Sequence, residues 1–330
     1  MKGVELSGRE RTLMTASRYG VVVALVALLL IGALRYDRFL SSFNVLSFLG
    51  YNSMFGLVSL GMAFVIVTGG IDLSVGAVAA LGSVAAALAS PYGIGAGVAA
   101  GVAAGLAIGL VNGFAVVVLG LAPFIATLAT MLGARGLALL LAGDQSVSAS
   151  YDSGFTLVGQ GDLFGFPVPA ILALVAFAVG WVLLERTGFG RTALAVGGNE
   201  EATRLMGLRT DPVKWAVYAG SGALAGLAGV VLAAQFGAGQ PIEGQGWELF
   251  AISAVVVGGT PLTGGNGSVV TTLAGVALLG LIFNMLNFEN GLGVISLSAY
   301  WQSVIRGLFL LVVVVGQAKL LSRSRPVETD

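Results

Sequence analysis

The sequence predicts an all-α membrane protein that crosses the bilayer about ten times, and three observations lead to this prediction. Hydrophobic residues make up 57% of the 330 residues and charged residues only 10%, which is more apolar than a soluble core requires. Apolar runs separated by turn signals recur along the whole chain, and several reach the roughly 20 residues of a transmembrane helix. Most basic residues lie between these runs. The chain is therefore interpreted as one transmembrane domain, residues 1–330.

The apolar runs divide the chain into ten predicted spans. They cover residues 19–34, 45–68, 74–89, 94–119, 123–142, 168–185, 214–236, 248–258, 269–287 and 299–318. Several are too short for a full crossing, so we expect some helices to be broken at mid-membrane depth. The first run has the basic start of a signal peptide, but Arg35 and Arg38 follow it in place of a small-residue cleavage site. We therefore interpret it as an uncleaved first helix.

The basic residues predict the orientation in the membrane. The tail 1–18, the loop 186–214 and the tail 319–330 contain twelve of the sixteen Lys and Arg residues. Cytoplasmic segments of membrane proteins carry an excess of these residues. The loop 143–167 has three Asp residues and neither Lys nor Arg, as an outward loop would. We predict that both termini and the 186–214 loop are cytoplasmic.

The residue types that the chain lacks exclude several functions. It has no cysteine and no histidine, which removes disulfides, thiolate nucleophiles, imidazole bases and the usual zinc and haem ligands. It has no Gly-Lys dipeptide, and therefore no Gly-x4-Gly-Lys-Ser/Thr loop for ATP. A formal net charge of zero gives no reason to expect a nucleic-acid partner. We expect a transporter without its own ATPase site, cofactor or metal.

Glycine is unusually frequent, with 51 residues, and its spacing in the fourth span is regular. Gly97, Gly101, Gly105, Gly109 and Gly113 recur at every fourth position, which places them on one face of a helix. Such a face lets a neighbouring helix approach closely, and in lipid this packing is a main source of helix association. The seventh span repeats the pattern on a smaller scale at positions 222, 226 and 229. We interpret both stripes as packing surfaces.

Two glycine-rich segments interrupt the apolar sequence, at residues 69–74 and 258–268. Glycine permits unusual backbone angles, and Asp72, Ser74 and Ser268 can cap the helix that follows each segment. Irregular backbone inside a membrane requires protein or water to satisfy its polar groups. The sequence is compatible with broken helices that line a substrate pathway and with ordinary turns at the interface.

Ionisable side chains within the spans are the first candidates for a translocation pathway. They are Asp72, Arg135, Glu248 and Arg306. Arg135 and Glu248 fall in the outer halves of their spans, so we predict that they pair or line a small-ligand cavity, with snorkelling to the interface as the alternative. Further wall candidates are Ser74, Asn112, Gln235, Trp247, Asn284, Asn287, Tyr300, Trp301 and Gln302.

Residues 199–207 of the basic loop form the pattern of a short amphipathic helix. Its first residue can cap the helix, the two acids after it suit the positive end of the dipole, and the final glycine can end it. Three apolar residues fall at i, i+3 and i+4, a face suited to a groove of a soluble partner. The alternative is a solvated connector that packs on the membrane domain alone. The predicted docking residues are Asn199, Glu200, Glu201, Ala202, Arg204, Leu205, Met206 and Gly207.

Four groups of motifs can be compared with a known family. They are Gly69-Gly-Ile-Asp-Leu-Ser-Val-Gly-Ala-Val78, Pro123-Phe-Ile-Ala-Thr-Leu128 with Arg135-Gly136, Gly190-Arg-Thr192 with Gly198-Asn199, and Val257-Gly-Gly-Thr260 with Gly264-Gly265. Together they resemble the ribose-type sugar permeases of ABC transporters, over about residues 45–318. The resemblance implies a type II ABC importer-like permease in the bacterial inner membrane, working as a dimer with a second permease copy or paralogue.

The resemblance also implies partners and a substrate. A cytoplasmic ATP-binding cassette subunit would bind ATP and Mg²⁺, and a periplasmic or extracellular sugar-binding protein would deliver a monosaccharide or similar polyol. Residues 199–207 would then be the coupling helix. A branched-chain amino acid permease, which would need groups such as Glu248 and Arg135 for both ends of its substrate, is one alternative. An ion-coupled carrier and a membrane enzyme are the others.

Two positions depart from the family pattern. Phe250 stands where an acid is usual, and Asn266 stands where a basic residue is common. We expect the ring at position 250 to narrow or dry the pathway instead of binding a polar group. Within the family, Asn287-Phe288-Glu289 and Leu205-Met-Gly207 resemble galactofuranose permease subunits most.

Overall fold

The computed structural model describes residues 8–291 together with residues 301, 304, 305, 307 and 308, and this part of the chain is predominantly helical. The helices are α1 (Gly8–Arg35), α2 (Ser42–Val67), α3 (Val75–Ala89), α4 (Ile94–Val117), α5 (Pro123–Ala142), α6 (Leu157–Gln160), α7 (Val168–Arg186), α8 (Gly188–Gly198), α9 (Glu200–Leu205), α10 (Thr210–Phe236), α11 (Trp247–Val257) and α12 (Val269–Gly291). A 3-10 turn, Ser90–Tyr92, joins α3 to α4. The short strands are β1 (Val147–Ser148), β2 (Asp162–Leu163), β3 (Phe166–Pro167) and β4 (Ala238–Gly239).

Nine of the predicted spans correspond to described helices. Seven are long and apolar enough to cross a membrane, namely α2, α3 with its 3-10 turn, α4, α5, α7, α10 and α12, and two more, Gly20–Arg35 of α1 and α11, are shorter. Most of the predicted span 299–318 and the predicted tail 319–330 lie outside the described residues, and so do Tyr300, Gln302 and Arg306. The polytopic helical fold is confirmed, whereas the count of ten spans stays a prediction.

The helix α1 begins well before its predicted apolar span. It starts at Gly8, so most of the predicted tail 1–18 is helical. No Gly or Pro interrupts residues 9–19, and the helix therefore continues from the basic segment into the apolar one.

The glycine stripe of α4 packs against α10, as the spacing predicts. Gly105 and Gly109 are buried on α4, and a Cβ atom at Gly105 would overlap the carbonyl oxygen of Gly222 and lie 2.7 Å from the Cα of Gly226. A Cβ atom at Gly229 would in turn overlap the backbone of α3. The two helices therefore touch through their backbones, which gives close van der Waals contact over several turns.

The largest hydrophobic core lies between α2, α3, α10, α11 and α12. The helix α11 belongs to this core although it has only 11 residues, or about 16 Å at 1.5 Å per residue, roughly half of the hydrocarbon thickness. After the glycine-rich segment 258–268 the chain turns back, and α12 packs antiparallel beside α11, where a Cβ atom at Gly275 would overlap the Ala254 carbonyl oxygen and one at Gly258 would lie 2.6 Å from the Thr271 carbonyl oxygen.

Two small antiparallel sheets lie near the end of α10 that is remote from α8 and α9. The strand β1 pairs with β4, with Val147 opposite Gly239, and β2 pairs with β3 in a hairpin, with Asp162 opposite Pro167. The α6 helix and the β2–β3 hairpin lie between α5 and α7 in the predicted outward loop. They give that loop a defined structure.

Candidate functional site

The short helix predicted after residue 198 is present as α9. The side chain of Asn199 accepts a hydrogen bond from the Ala202 amide at 2.9 Å and caps the helix. Gly207, with φ of 81°, adopts the left-handed conformation just after the helix, and its amide donates to the Arg204 carbonyl. Cap and terminator are therefore the predicted residues.

Two large apolar residues at the end of α9 are exposed. Leu205 is 85% exposed and Met206 is 77% exposed, whereas Thr203 is 3% exposed and faces the bundle. Thr203 also donates a hydrogen bond from its hydroxyl to the Asn199 carbonyl at 2.7 Å. The exposed pair thus points away from the membrane domain, which favours a docking surface over the alternative of a connector packed on that domain alone.

A set of ion pairs holds α9 against the beginning of α10. Glu200 accepts hydrogen bonds from Arg204 Nη2 at 3.0 Å and from Lys214 Nζ at 2.9 Å. Arg204 also binds Asp211 at 2.6 Å and Thr210 at 2.8 Å. Each pair is partly exposed and contributes little stability alone. Their joint effect is to fix the orientation of α9 on α10, and the partners on α10 were not identified from the sequence because ion pairing depends on tertiary position.

The two glycine-rich breaks meet directly behind α9. The amide of Gly265 donates to the Val67 carbonyl at the end of α2, at 3.0 Å. A Cβ atom at Gly197, which lies just before α9, would overlap that same carbonyl and the Gly265 amide nitrogen. Gly264 and Gly265 have φ values of 79° and 75°, which glycine adopts readily. The segment before α9 therefore contacts the end of α2 and the second glycine-rich break through backbone atoms.

The first break contains a buried polar network around Asp72. The amide and the hydroxyl of Ser74 donate to Asp72 Oδ1 at 3.0 and 2.6 Å, and the hydroxyl of Ser221 on α10 donates to Oδ2 at 2.9 Å. Asn112 of α4 donates to the Ser74 hydroxyl at 2.9 Å and accepts from the Thr130 hydroxyl on α5.

Three predicted pathway residues, Asp72, Ser74 and Asn112, are thus brought together, each at most 1% exposed. The predicted capping role of Ser74 is wrong, because its side chain makes no capping hydrogen bond to α3. The Ser74 hydroxyl instead donates to the Asp72 carboxylate and accepts from the Asn112 side chain. The network joins the break to α4, α5 and α10.

Arg135 binds backbone carbonyls rather than a carboxylate. Its Nη1 atom donates to the carbonyls of Pro241 and Glu243 in the loop before α11. Glu248 lies near the first turn of α3, where its Oε2 atom would be 2.8 Å from a Cβ atom at Gly76. The ion pairs of the described residues do not include Arg135 with Glu248, so the predicted direct pair is not formed in this structure.

The aromatic residues of α11 pack into the core. The rings of Trp247 and Phe250 lie 4.9 and 4.6 Å from the ring of Phe55 on α2, measured between centroids, and both residues are 8% exposed. Phe283 of α12 is 5.9 Å from Phe250. The ring at position 250 thus takes part in an aromatic cluster behind α2.

Asn284 and the segment after it connect α12 to α1 and α2. The side chains of Asn284 and Asn44 exchange hydrogen bonds at 2.9 and 3.2 Å. Glu289 accepts from Arg35 at 2.6 Å and from the Tyr36 hydroxyl at 2.7 Å. Burial raises the pKa of Tyr36, and its hydrogen bond to Glu289 raises it further.

Within the described residues, no three side chains of the His, Cys, Asp and Glu types come together as metal ligands would. The long apolar helices define a multi-pass membrane protein. The family of branched-chain amino acid transport system permease components matches residues 44–314, and the chain belongs to this family. It is a multi-pass membrane protein and a transporter subunit rather than an enzyme.

Characterised relatives cover nearly the whole chain. The ribose import permease protein of Bacillus subtilis is 42% identical over 301 residues, which are 90% of this chain and 92% of the relative. The L-arabinose transport system permease protein of Escherichia coli is 38% identical over 90% of this chain and 89% of the relative. The D-allose transport system permease protein of the same organism is 35% identical over 93% of both chains. No solved structure gives a significant match.

Proposed function

We propose that the chain is the membrane-spanning subunit of an ATP-driven importer for a monosaccharide or a similar polyol. The identity of 42% to a ribose import permease over 90% of the chain is the observation that carries this proposal. The family description names branched-chain amino acids, but the relatives of 35–42% identity described above are named for sugars. The galactofuranose subtype stays a prediction from two short motifs.

The partners follow from this function. An ATP-binding cassette subunit would receive the apolar face of α9 in a groove, and its closure on ATP and Mg²⁺ would move the segment around Gly197. A sugar-binding protein would dock at the other end of the bundle, and a second permease copy or paralogue would complete the pathway. The distribution of Lys and Arg supports cytoplasmic termini. Asp72, Arg135 and Glu248 then belong to segments that the motion would displace.

Uptake of labelled D-ribose, L-arabinose, D-allose and L-leucine in the native host tests the substrate class. Deletion of the gene should abolish uptake of at least one sugar and leave leucine uptake unchanged, and the wild-type chain should restore it. Loss of leucine uptake alone would instead support the amino acid alternative. Unchanged uptake of all four compounds would contradict the proposal.

The same cells test the role of α9. A double variant with Leu205→Asp and Met206→Asp should insert normally but fail to restore uptake and fail to retain the ATPase subunit on purification, because two carboxylates would enter an apolar groove. The matched control is Leu163→Asp with Phe164→Asp, an exposed apolar pair in the β2–β3 turn, which should retain the ATPase subunit. Normal retention in the α9 variant would contradict the coupling role.

A further inference from the structure

A cavity of about 890 Å³ opens at the end of the bundle opposite α9. Its walls are the first half of α2, the segment between α6 and α7, the end of α10 and the second half of α12. The position follows from α10, which carries α9 at its first residues and the cavity wall at Gln235 near its last. Cavities that bind small ligands usually have volumes between about 300 and 1,000 Å³.

The side chains in the cavity wall suit a neutral hydroxylated ligand. Five of them are amides, and amides can donate and accept hydrogen bonds at once, as paired hydroxyl groups require. Four aromatic rings offer flat apolar surfaces beside them. The residues that line the cavity include one acid, Asp162, which accepts a hydrogen bond from the Gly165 amide, and neither Lys nor Arg, so nothing there would balance the charge of a phosphate or a carboxylate. The amides are Asn52, Gln160, Gln235, Asn284 and Asn287, and the rings are Phe48, Tyr51, Phe55 and Phe283.

Gln235 has a side-chain oxygen without a hydrogen-bond donor in this wall. Its side-chain oxygen Oε1 is buried and accepts no hydrogen bond within the described residues. Buried polar atoms are nearly always paired, and an exception needs an explanation such as a bound ligand. A ligand hydroxyl is a donor of the required type.

The position of Gln235 is fixed by the segment above it. The Gln160 side chain donates from Nε2 to the Gln235 backbone carbonyl at 3.1 Å. Gly159 approaches the same residue so closely that a Cβ atom there would lie 2.7 Å from the Gln235 Cα. The wall at Gln235 is therefore held by backbone packing, as a specific binding site requires.

We propose that this cavity binds a monosaccharide within a single permease subunit, at the end of the bundle where the substrate enters. The choice of a sugar over another neutral polyol rests on the proposed function, whereas the position and the polar character of the site rest on the cavity itself. Gln235 is the principal hydrogen-bonding residue, and the aromatic rings contact the apolar face of the sugar. The site holds the sugar before it passes to the translocation pathway.

Saturation-transfer NMR on the full chain in lipid nanodiscs, without ATPase or binding protein, tests the site. D-ribose, L-arabinose and D-allose are the probes, and L-leucine is the reference ligand. At least one sugar should bind saturably, and Gln235→Met should weaken its Kd at least about tenfold because it removes the amide at similar volume. The matched control Gln145→Met alters an exposed glutamine outside the cavity and should leave the Kd unchanged.

A second variant guards against a folding defect. Asn287 is exposed at the cavity wall, so Asn287→Trp should fill the cavity and abolish binding with an unchanged thermal midpoint. Saturable binding that survives both cavity variants, or leucine binding in place of sugar, would overturn the site. Sugar uptake by the complete transporter with no binding to the isolated subunit would overturn the site and leave the proposed function standing. Sugar binding to the isolated subunit with no uptake by the complete transporter would overturn the proposed function and leave the site standing.

Discussion

The interface between α4 and α10 and the region between α2 and α12 are packed in opposite ways. In the first, glycine backbones touch, and a single added methyl group at Gly105 would overlap the Gly222 carbonyl. In the second, the rings of Phe55, Phe250 and Phe283 pack with centroids 4.6 to 5.9 Å apart, next to a cavity of about 890 Å³.

This difference separates a rigid part of the permease from an adaptable one. Backbone contacts offer a single arrangement, because neither partner has a side chain that can change rotamer. Aromatic side chains beside a cavity can change rotamer and adopt other arrangements while losing few contacts. We therefore expect α4 and α10 to move as one body during transport, and the region between α2 and α12 to change its packing.

The largest expected effect comes from a side chain placed in the rigid interface. Gly105→Val should destabilise the protein by at least about 3 kcal/mol, at the upper end of overpacking effects, because backbone has to move on both helices. The measurement is unfolding in mixed micelles with increasing SDS, followed by tryptophan fluorescence. The control is Gly136→Val on α5, where an added Cβ atom meets nothing within 4 Å. Equal losses in the two variants would refute the rigid interface.

A smaller effect is expected at Asp72, which ties the first break to this rigid part. Asp72→Leu would leave the hydroxyls of Ser74 and Ser221 without their acceptor. We expect this change to lower the free energy of unfolding by about 1–3 kcal/mol. Asp72→Asn should lower the free energy of unfolding by less, because an amide can accept a hydrogen bond from Ser74 and donate one to Ser221.

Stability and sugar uptake of these two variants, measured together, separate packing from transport chemistry. The expected result is that uptake follows stability, so that the Asn variant retains most of it. An Asn variant that is stable but inactive would mean that the negative charge itself takes part in transport. That outcome would contradict a purely structural network.

Features set by local spacing could be predicted from the sequence. The four-residue repeat from Gly97 to Gly113 predicts one helical face in any context, and the structure confirms close packing on α10 from Gly101 onward, whereas Gly97 faces Phe155. Asn199 as a cap and Gly207 as a terminator are also local, since each acts within one turn.

Features that depend on distant partners could not be predicted. Ser221 reaches Asp72 across 149 positions, and no pattern near either residue indicates the contact. Arg135 had a plausible acid in Glu248, but carbonyls of the loop before α11 are its partners. Gln235 and Asn287 were candidates by residue type, whereas the cavity that they share with Gln160 arises from tertiary packing.

The smallest effect is expected in the adaptable region. Phe250→Leu removes the ring contact with Phe55, and aromatic pairs of this kind contribute about 0.5–1.5 kcal/mol beyond their buried area. Because the cluster borders a cavity, Phe283 and Phe55 can move toward the shorter side chain. We therefore expect the free energy of unfolding in the same SDS titration to fall by about 1 kcal/mol. Leu249→Ala, at an exposed neighbouring position, is the control for changes to α11 itself and should lose less. A loss at Phe250 as large as that of Gly105→Val would mean that the region between α2 and α12 is packed as tightly as the glycine interface, and that the division of the permease into a rigid and an adaptable part is wrong.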